Sequence, residues 1–301
     1  MKELLVFWVK NSRGWHLVRY SKQLCKWLLR RESFSEFLDQ ISIIYNSSRV
    51  SLHKTVFVNI RLLPLDYALK MPIVIYNNVQ LLYMSGDAVF DGCTITPCMI
   101  HIGKFNNYRS QGKTRISIKG HIVFHGRGVM LQGCELVLFN RTAKLEIGDN
   151  FWFGENTMIY CAKSIKLGRC CKLNYHSQIM DSDFHFMINV IKRQIKNISR
   201  DIIIGDYNWF ANKTTIKKGT QTPDYLTVAG SYSVLSKDYT KEIKPYSIIG
   251  GSPIQVIACG QTRIYKNEMY NIKRLERYFI ENPDNHIYNL KDDEKLEDYI
   301  Y

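Results

Sequence analysis

Large apolar side chains recur every six residues through the second half of this chain. Ile147, Phe153, Ile159 and Ile165 are spaced in this way, and after a two-residue slip Leu167, Leu173 and Ile179 continue the series. After a break, Ile204, Phe210, Ile216, Thr222, Val228 and Val234 resume it, with Thr222 the one polar member. A small residue or Asn often follows the marked position, as at Gly148, Gly154, Gly168, Asn174, Gly205, Ala211 and Ala229. A helix needs apolar residues at steps of three and four, and a half-buried strand at steps of two. Six fits neither. It fits a solenoid with short straight faces, where one large side chain per face points inward and a turn-tolerant residue sits at each corner. Three faces of six make a triangular coil of about 18 residues.

The period loosens upstream. Ile118, Phe124, Met130 and Leu136 are again six apart, so irregular coils are expected to begin near Ile73 or Ile95. This divides the chain into a mainly helical N-terminal region (1–70), a solenoid (71–258) and a C-terminal helix with an acidic tail (259–301). The regular coils run from about residue 145, with a loop insertion at 186–201. Met269, Ile272, Leu275 and Phe279 predict a helix over 262–281 that Asn282-Pro283 ends. The acidic residues from Asp292 to Tyr301 are expected to fray.

Composition narrows the setting. With 46% hydrophobic residues, the 301-residue chain is too apolar to be disordered. Lys+Arg exceed Asp+Glu by 41 − 27 = 14. That surplus points to an anionic partner: a phosphorylated cofactor, nucleic acid or an anionic membrane. No stacking or groove-reading element supports nucleic acid. No apolar run approaches the roughly 20 residues that cross a bilayer. Lys10, Arg13 and Arg19 interrupt any signal-peptide core. The eight cysteines form no CxxC pair and are expected to be reduced and mostly buried, as in a cytoplasmic protein. The basic stretch 1–34 sets Leu24, Trp27 and Leu28 opposite Lys22, Lys26 and Arg30. It is expected either to cap the first coil or to rest peripherally on the inner face of a membrane.

Three segments carry a family resemblance. They are Ile204-Gly205-Asp206-Tyr207-Asn208-Trp209-Phe210-Ala211-Asn212, Ser236-Lys237-Asp238, and Pro245-Tyr246-Ser247-Ile248-Ile249-Gly250-Gly251-Ser252-Pro253. Together they resemble the end of the solenoid in the galactoside and maltose acetyltransferases, within the hexapeptide-repeat acyltransferase family. The resemblance covers about residues 145–258. It implies a mainly β fold, a left-handed parallel β-helix with helical appendages. It also implies acetyl-CoA as acyl donor, a carbohydrate acceptor, no metal, and a homotrimer with sites between subunits.

The break in the period reads Ile179-Met180-Asp181-Ser182-Asp183-Phe184-His185, followed by Lys192, Arg193 and Lys196. A solenoid tolerates an insertion only where it leaves the stack at a corner. Surface-polysaccharide acetyltransferases of this kind carry a similar run, which places the general base on His185, with His176 as competitor. A sugar hydroxyl attacks a thioester slowly unless its proton leaves during attack, and a neutral imidazole suits that transfer. Asp183 or Asp181 is expected to orient the ring, in the manner of the His–Asp half of a triad; the bland reading of both is turn formation.

For the donor, the resemblance implies Trp209, Asn212, Ser231, Ser236 and Lys237 along the coenzyme A groove. Galactoside-type arginines after the Gly-x-Pro turn are replaced by Gln255 and Ala258, which leaves Arg263 as the candidate phosphate contact. The expected activity is O-acetylation of a sugar of a surface polysaccharide, lipopolysaccharide or precursor. The alternatives are N-acylation of a nucleotide-linked amino sugar and a non-catalytic scaffold. A carbonic anhydrase of the same fold would need three converging histidines, a spacing that His176 and His185 do not supply.

Overall fold

In the computed structural model, residues 49–106 and 112–300 are described. The six-residue period becomes three parallel sheets that form the sides of a triangular β-helix. The first face stacks β1 (Ile73–Ile75), β4 (Ile100–Lys104), β7 (Gly128–Leu131), β10 (Phe151–Phe153), β13 (Lys172–Leu173), β18 (Trp209–Phe210), β20 (Thr227–Val228) and β22 (Ser247–Gly250). An antiparallel strand, β23 (Gln255–Cys259), closes that face. The second face stacks β2 (Val79–Met84), β5 (Thr114–Ile118), β8 (Glu135–Leu138), β11 (Met158–Cys161), β14 (Gln178–Met180), β19 (Thr215–Ile216) and β21 (Val234–Leu235). The third stacks β3 (Asp87–Phe90), β6 (His121–Phe124), β9 (Lys144–Ile147), β12 (Ser164–Leu167) and β17 (Ile202–Ile204).

Register explains the period. Phe153 pairs with Leu173, Leu173 with Phe210, Phe210 with Val228, and Val228 with Ile249. Each is fully buried, so one inward column runs up the first face. Parallel strands in successive coils place like residues about 4.8 Å apart, which makes each column a continuous apolar ladder. Thr222 points inward as its place in the series requires, and its hydroxyl accepts the N–H of Gly205 at 3.1 Å. One step slips: Leu235, not Val234, enters the core. The step from Val228 is therefore seven residues, and Val234 is left half-buried.

The corners explain the small residues. A Cβ on Gly168 would lie 2.6 Å from the carbonyl carbon of Gly205 in the next coil. Two positions further on, the corner between third and first faces needs a left-handed residue, and Asn150, Cys170, Tyr207, Tyr225 and Tyr246 all have φ between 54° and 60°. Such a backbone costs a bulky residue on the order of 1 kcal/mol. Ring stacking offsets it: Tyr207 stacks on Tyr225 and Tyr225 on Tyr246, each at 4.6 Å between centroids.

Helix α1 (Leu52–Leu62), followed by α2 (Leu65–Ala68), covers the first coil. Phe57, Val58, Leu62 and Leu63 enter the core. The buried amide of Asn59 bridges the Ile73 N–H and C=O at 3.1 and 2.6 Å. The Trp27 stripe lies outside the described residues.

At the other end, the helix expected over 262–281 begins later, as α3 (Glu268–Glu281). Residues 262–267 instead lie along the solenoid, where the Tyr265 hydroxyl donates to the Tyr207 carbonyl at 2.6 Å. The tail does not fray. In α4 (Glu297–Ile300), Tyr299 and Ile300 are buried. Arg274 holds Tyr288, Glu294 and Tyr299 around itself.

Candidate functional site

The insertion leaves the stack at the corner between second and third faces. Its neck is pinned by a bridge between Ser182 and Ser199. Beyond it a hairpin, β15 (Ile188–Asn189) and β16 (Gln194–Ile195), stands away from the solenoid. His185 sits at the root of the hairpin, exposed, and its ring takes no hydrogen bond among the described residues.

Phe184 holds that root. Its backbone is left-handed, at φ 58°, and its N–H donates to Ser182 Oγ at 3.1 Å. Its ring packs 4.6 Å from Phe139 and 6.4 Å from Tyr160. The Tyr160 hydroxyl donates to Glu135 at 2.5 Å, and Arg115 pairs with the same carboxylate at 2.7 Å. Burial, then the neighbouring Glu135 carboxylate, pushes the Tyr160 hydroxyl up to about 12. It therefore stays a neutral donor at physiological pH. The aromatic cluster was missed in the sequence. Its signal was there: Phe139 and Tyr160 are aromatic at positions where the period calls for solvent-facing residues.

The two aspartates differ sharply. Asp181 is fully buried, and its carboxylate accepts the N–H groups of Ala162 at 2.7 Å and Lys163 at 2.8 Å in the preceding coil. It is a staple between coils and is not turned toward His185. Asp183 is exposed, and its carboxylate pairs with Lys218 at 2.5 Å. Lys218 also donates to the Asn197 carbonyl at 3.2 Å, which ties both arms of the insertion to the solenoid. His176 lies at another corner, between first and second faces, exposed and with φ 58°.

The residues expected along the donor groove occupy three places. Trp209 and Arg263 meet on the outer side of the first face, with the guanidinium 5.2 Å from the ring centroid. The C-terminal segment covers them. Arg263 pairs with Glu268, which also takes Lys172 at 2.5 Å. Burial disfavours the charge on Glu268, but the hydrogen bonds from Lys172 and Arg263 outweigh it and hold the carboxyl below its usual range. Arg263 is thus committed to protein partners, and Trp209 faces the appendage. Asn212 and Ser231 share the corner of His176. Asn212 Oδ1 is buried and has no hydrogen-bond partner among the described residues. It is an acceptor suited to an amide N–H such as the pantetheine arm carries. Ser236 and Lys237 lie at the His185 corner, with Lys237 paired to Glu242 at 2.6 Å. Among the described residues no group of three His, Cys, Asp or Glu is placed to hold a metal. No described helix is long and apolar enough to cross a membrane.

No family model matches this chain, and no curated protein matches it. Several solved structures are similar to it in chain path. The polysialic-acid-specific acetyltransferase NeuO is 15% identical with a TM-score of 0.40, covering 68% of this chain and 99% of that one. The polysialic acid O-acetyltransferase OatWY is 22% identical with a TM-score of 0.37, covering 68% and 94%. A hexapeptide-repeat acetyltransferase of Vibrio cholerae, complexed with acetyl coenzyme A, is 21% identical with a TM-score of 0.37, covering 46% and 70%.

Proposed function

We propose that this protein is an acyltransferase that moves acetyl from acetyl-CoA to a sugar hydroxyl by direct transfer, with His185 as general base. The observation that carries the reading is the placement of His185. The sequence interrupts its period to put one histidine outside the stack, on a root fixed by Phe184, with neither ring nitrogen hydrogen-bonded among the described residues. The resemblance of residues 204–212, 236–238 and 245–253 to the sugar acetyltransferases supplies the reaction class.

His185 takes the acceptor hydroxyl proton as the oxygen attacks the thioester carbonyl. The thiolate of coenzyme A then leaves and takes up a proton. Asp183 is the carboxylate nearest in sequence to the base, and Lys218 holds it at the neck. It is the group assigned here to orient the ring. Asp181 does not serve, because both its oxygens are engaged. Asn212 and Ser231 stand on a different corner from His185, whereas Ser236 and Lys237 share its corner, so one chain brings only part of the expected donor groove to the base. A homotrimer, in which a neighbour supplies the second corner, completes the site.

The test is His185→Ala in an assay with acetyl-CoA and a panel of saccharide acceptors. Turnover falls by roughly 10²–10⁴ while acetyl-CoA binding persists. His176→Ala is the control. Retained turnover in His185→Ala overturns the assignment, and transfer only to amino sugars would move the activity to N-acylation.

A further inference from the structure

Positive charge is gathered at one corner of the solenoid. Between third and first faces, Asp91, Asp149, Asp206 and Asp224 stand against Arg127 and Arg169, and Asp206 holds Arg169 at 2.8 Å. The last coil adds Glu242 there, with Lys241 and Lys244. Between first and second faces, the described residues place Glu155 against Lys113 and Lys213. The corner of His185, between second and third faces, is different. Lys119, Arg141 and Lys163 mark three successive coils below the insertion. The insertion adds Lys192, Arg193 and Lys196, and no acid lies between Phe184 and Arg200.

The acids of this corner do not neutralise the row. Asp181 is buried against backbone N–H groups, Asp183 takes Lys218, and Asp201 takes Lys163 at 3.0 Å. Arg141, Lys192, Arg193 and Lys196 are exposed and have no ion pair among the described residues. Like charges in one row repel, a cost that an anionic ligand removes.

The row is held in shape. Asn140 Nδ2 donates to the Ala162 carbonyl of the next coil at 2.7 Å, and Asn140 Oδ1 accepts the N–H groups of Thr142 and Ala143. These bonds set the bend that carries Arg141. At the hairpin tip the Lys192 N–H donates to Asn189 Oδ1 at 2.8 Å. In the same bend as Arg141 stands Phe139, 37% exposed and packed on Phe184 at the root of His185. An apolar ring face beside fixed cations suits a sugar that carries an acidic group. The C–H face of the sugar covers the phenyl ring, and its anion meets a guanidinium or ammonium. From Lys119 to the insertion is three strand spacings, about 14 Å at ~4.8 Å each, longer than one sugar ring. Lys217 and Lys237, on the coils above the insertion, are left to the phosphates of the donor.

We propose that the acceptor is a polyanionic oligosaccharide, bearing carboxylate or phosphate, that lies along this corner below His185. Arg141 and the insertion's Lys192, Arg193 and Lys196 hold its charges, and Phe139 carries one of its rings. This assignment rests on the reading of His185 as the base, which makes its corner the acceptor side.

Equilibrium binding to the full chain without acetyl-CoA tests it, with fluorescent oligogalacturonate and an oligosaccharide of phosphomannan as probes. At least one binds about tenfold or more tightly than its carboxyl-reduced or dephosphorylated form, and added salt weakens it. Arg141→Glu/Lys196→Glu loses that gain and leaves the affinity for acetyl-CoA unchanged. Arg127→Glu/Lys244→Glu, the same charge change at another corner, keeps the gain. Equal binding of the neutral glycans, or equal loss in the two double variants, overturns the proposal. So does tighter binding of oligothymidylate, which assigns the corner to nucleic acid, or of phosphatidylglycerol vesicles, which assigns it to a membrane. Corner-dependent glycan binding by a protein that transfers acetyl to no saccharide overturns the base and upholds the track.

Discussion

Asp181 and Asp183 are two residues apart in the sequence, and the structure predicts opposite consequences for removing them. Asp181→Ala takes away the carboxylate that accepts the Ala162 and Lys163 N–H groups at 2.7 and 2.8 Å. A hydrogen bond to a charged group contributes about 1.5–3 kcal/mol, so losing two costs about 3–6 kcal/mol. The loss falls at the neck of the insertion, where Asp181 also accepts the Arg200 N–H through its backbone carbonyl at 2.9 Å. Asp183→Ala removes a partly exposed pair with Lys218 and changes stability by about 0–1 kcal/mol. Urea denaturation of the purified protein, read by tyrosine and tryptophan fluorescence, separates the two. Turnover is then compared at a denaturant-free temperature where both variants are folded. Asp181→Ala lowers the midpoint markedly and leaves turnover per folded molecule within a few-fold. Asp183→Ala does the reverse. An Asp181 variant of unchanged stability with turnover down a hundredfold would refute the reasoning, because its carboxylate would then be acting on His185.

The other expectations follow from single contacts. Phe184→Ala loses an aromatic pair worth about 0.5–1.5 kcal/mol and loosens the root of His185. The outcome is a kcat lowered about tenfold at unchanged KM for acetyl-CoA, with partial recovery in Phe184→Tyr; a KM effect alone contradicts a positioning role. Phe210→Ala opens the fully buried column of the first face and costs about 3–5 kcal/mol in the same denaturation assay. The N–H of Lys291, with the side chains of Tyr288, Arg274 and Tyr299, holds the Glu294 carboxyl down at about 2 against desolvation. A depressed carboxylate stabilises the fold fully above its unfolded value near 4.3 and loses that contribution as pH falls toward 2. The appendage therefore loosens in that window, which proteolysis or hydrogen exchange of 282–300 detects, and Glu294→Gln flattens the dependence.

What was legible in the sequence is what repeats. An inward column such as Phe153, Leu173, Phe210 and Val228 must place a large apolar residue once per face, so the six-residue step and the triangular section follow from core packing alone. The slip at Leu235 was hidden because Val234 and Leu235 are equally apolar, and only the register of β19 with β21 decides between them. Outward residues carry no such constraint. The Tyr207–Tyr225–Tyr246 ladder and the Phe139–Tyr160–Phe184 cluster arise from stacking between coils, which a linear reading does not see. The break at 181–199 was visible as a lost period, and with it the candidacy of His185. The division of labour between Asp181 and Asp183 was not, since it depends on which carboxylate faces the coil below. Trp209 shows the limit of local resemblance most clearly. Its motif is at home in an acyl-donor groove, yet a segment more than fifty residues downstream lays Arg263 across its ring. Its neighbours Lys172 and Glu268 close over the same face. In the proposed function the donor is instead met at the corner of Asn212 and Ser231, where the buried Asn212 Oδ1 has no hydrogen-bond partner among the described residues.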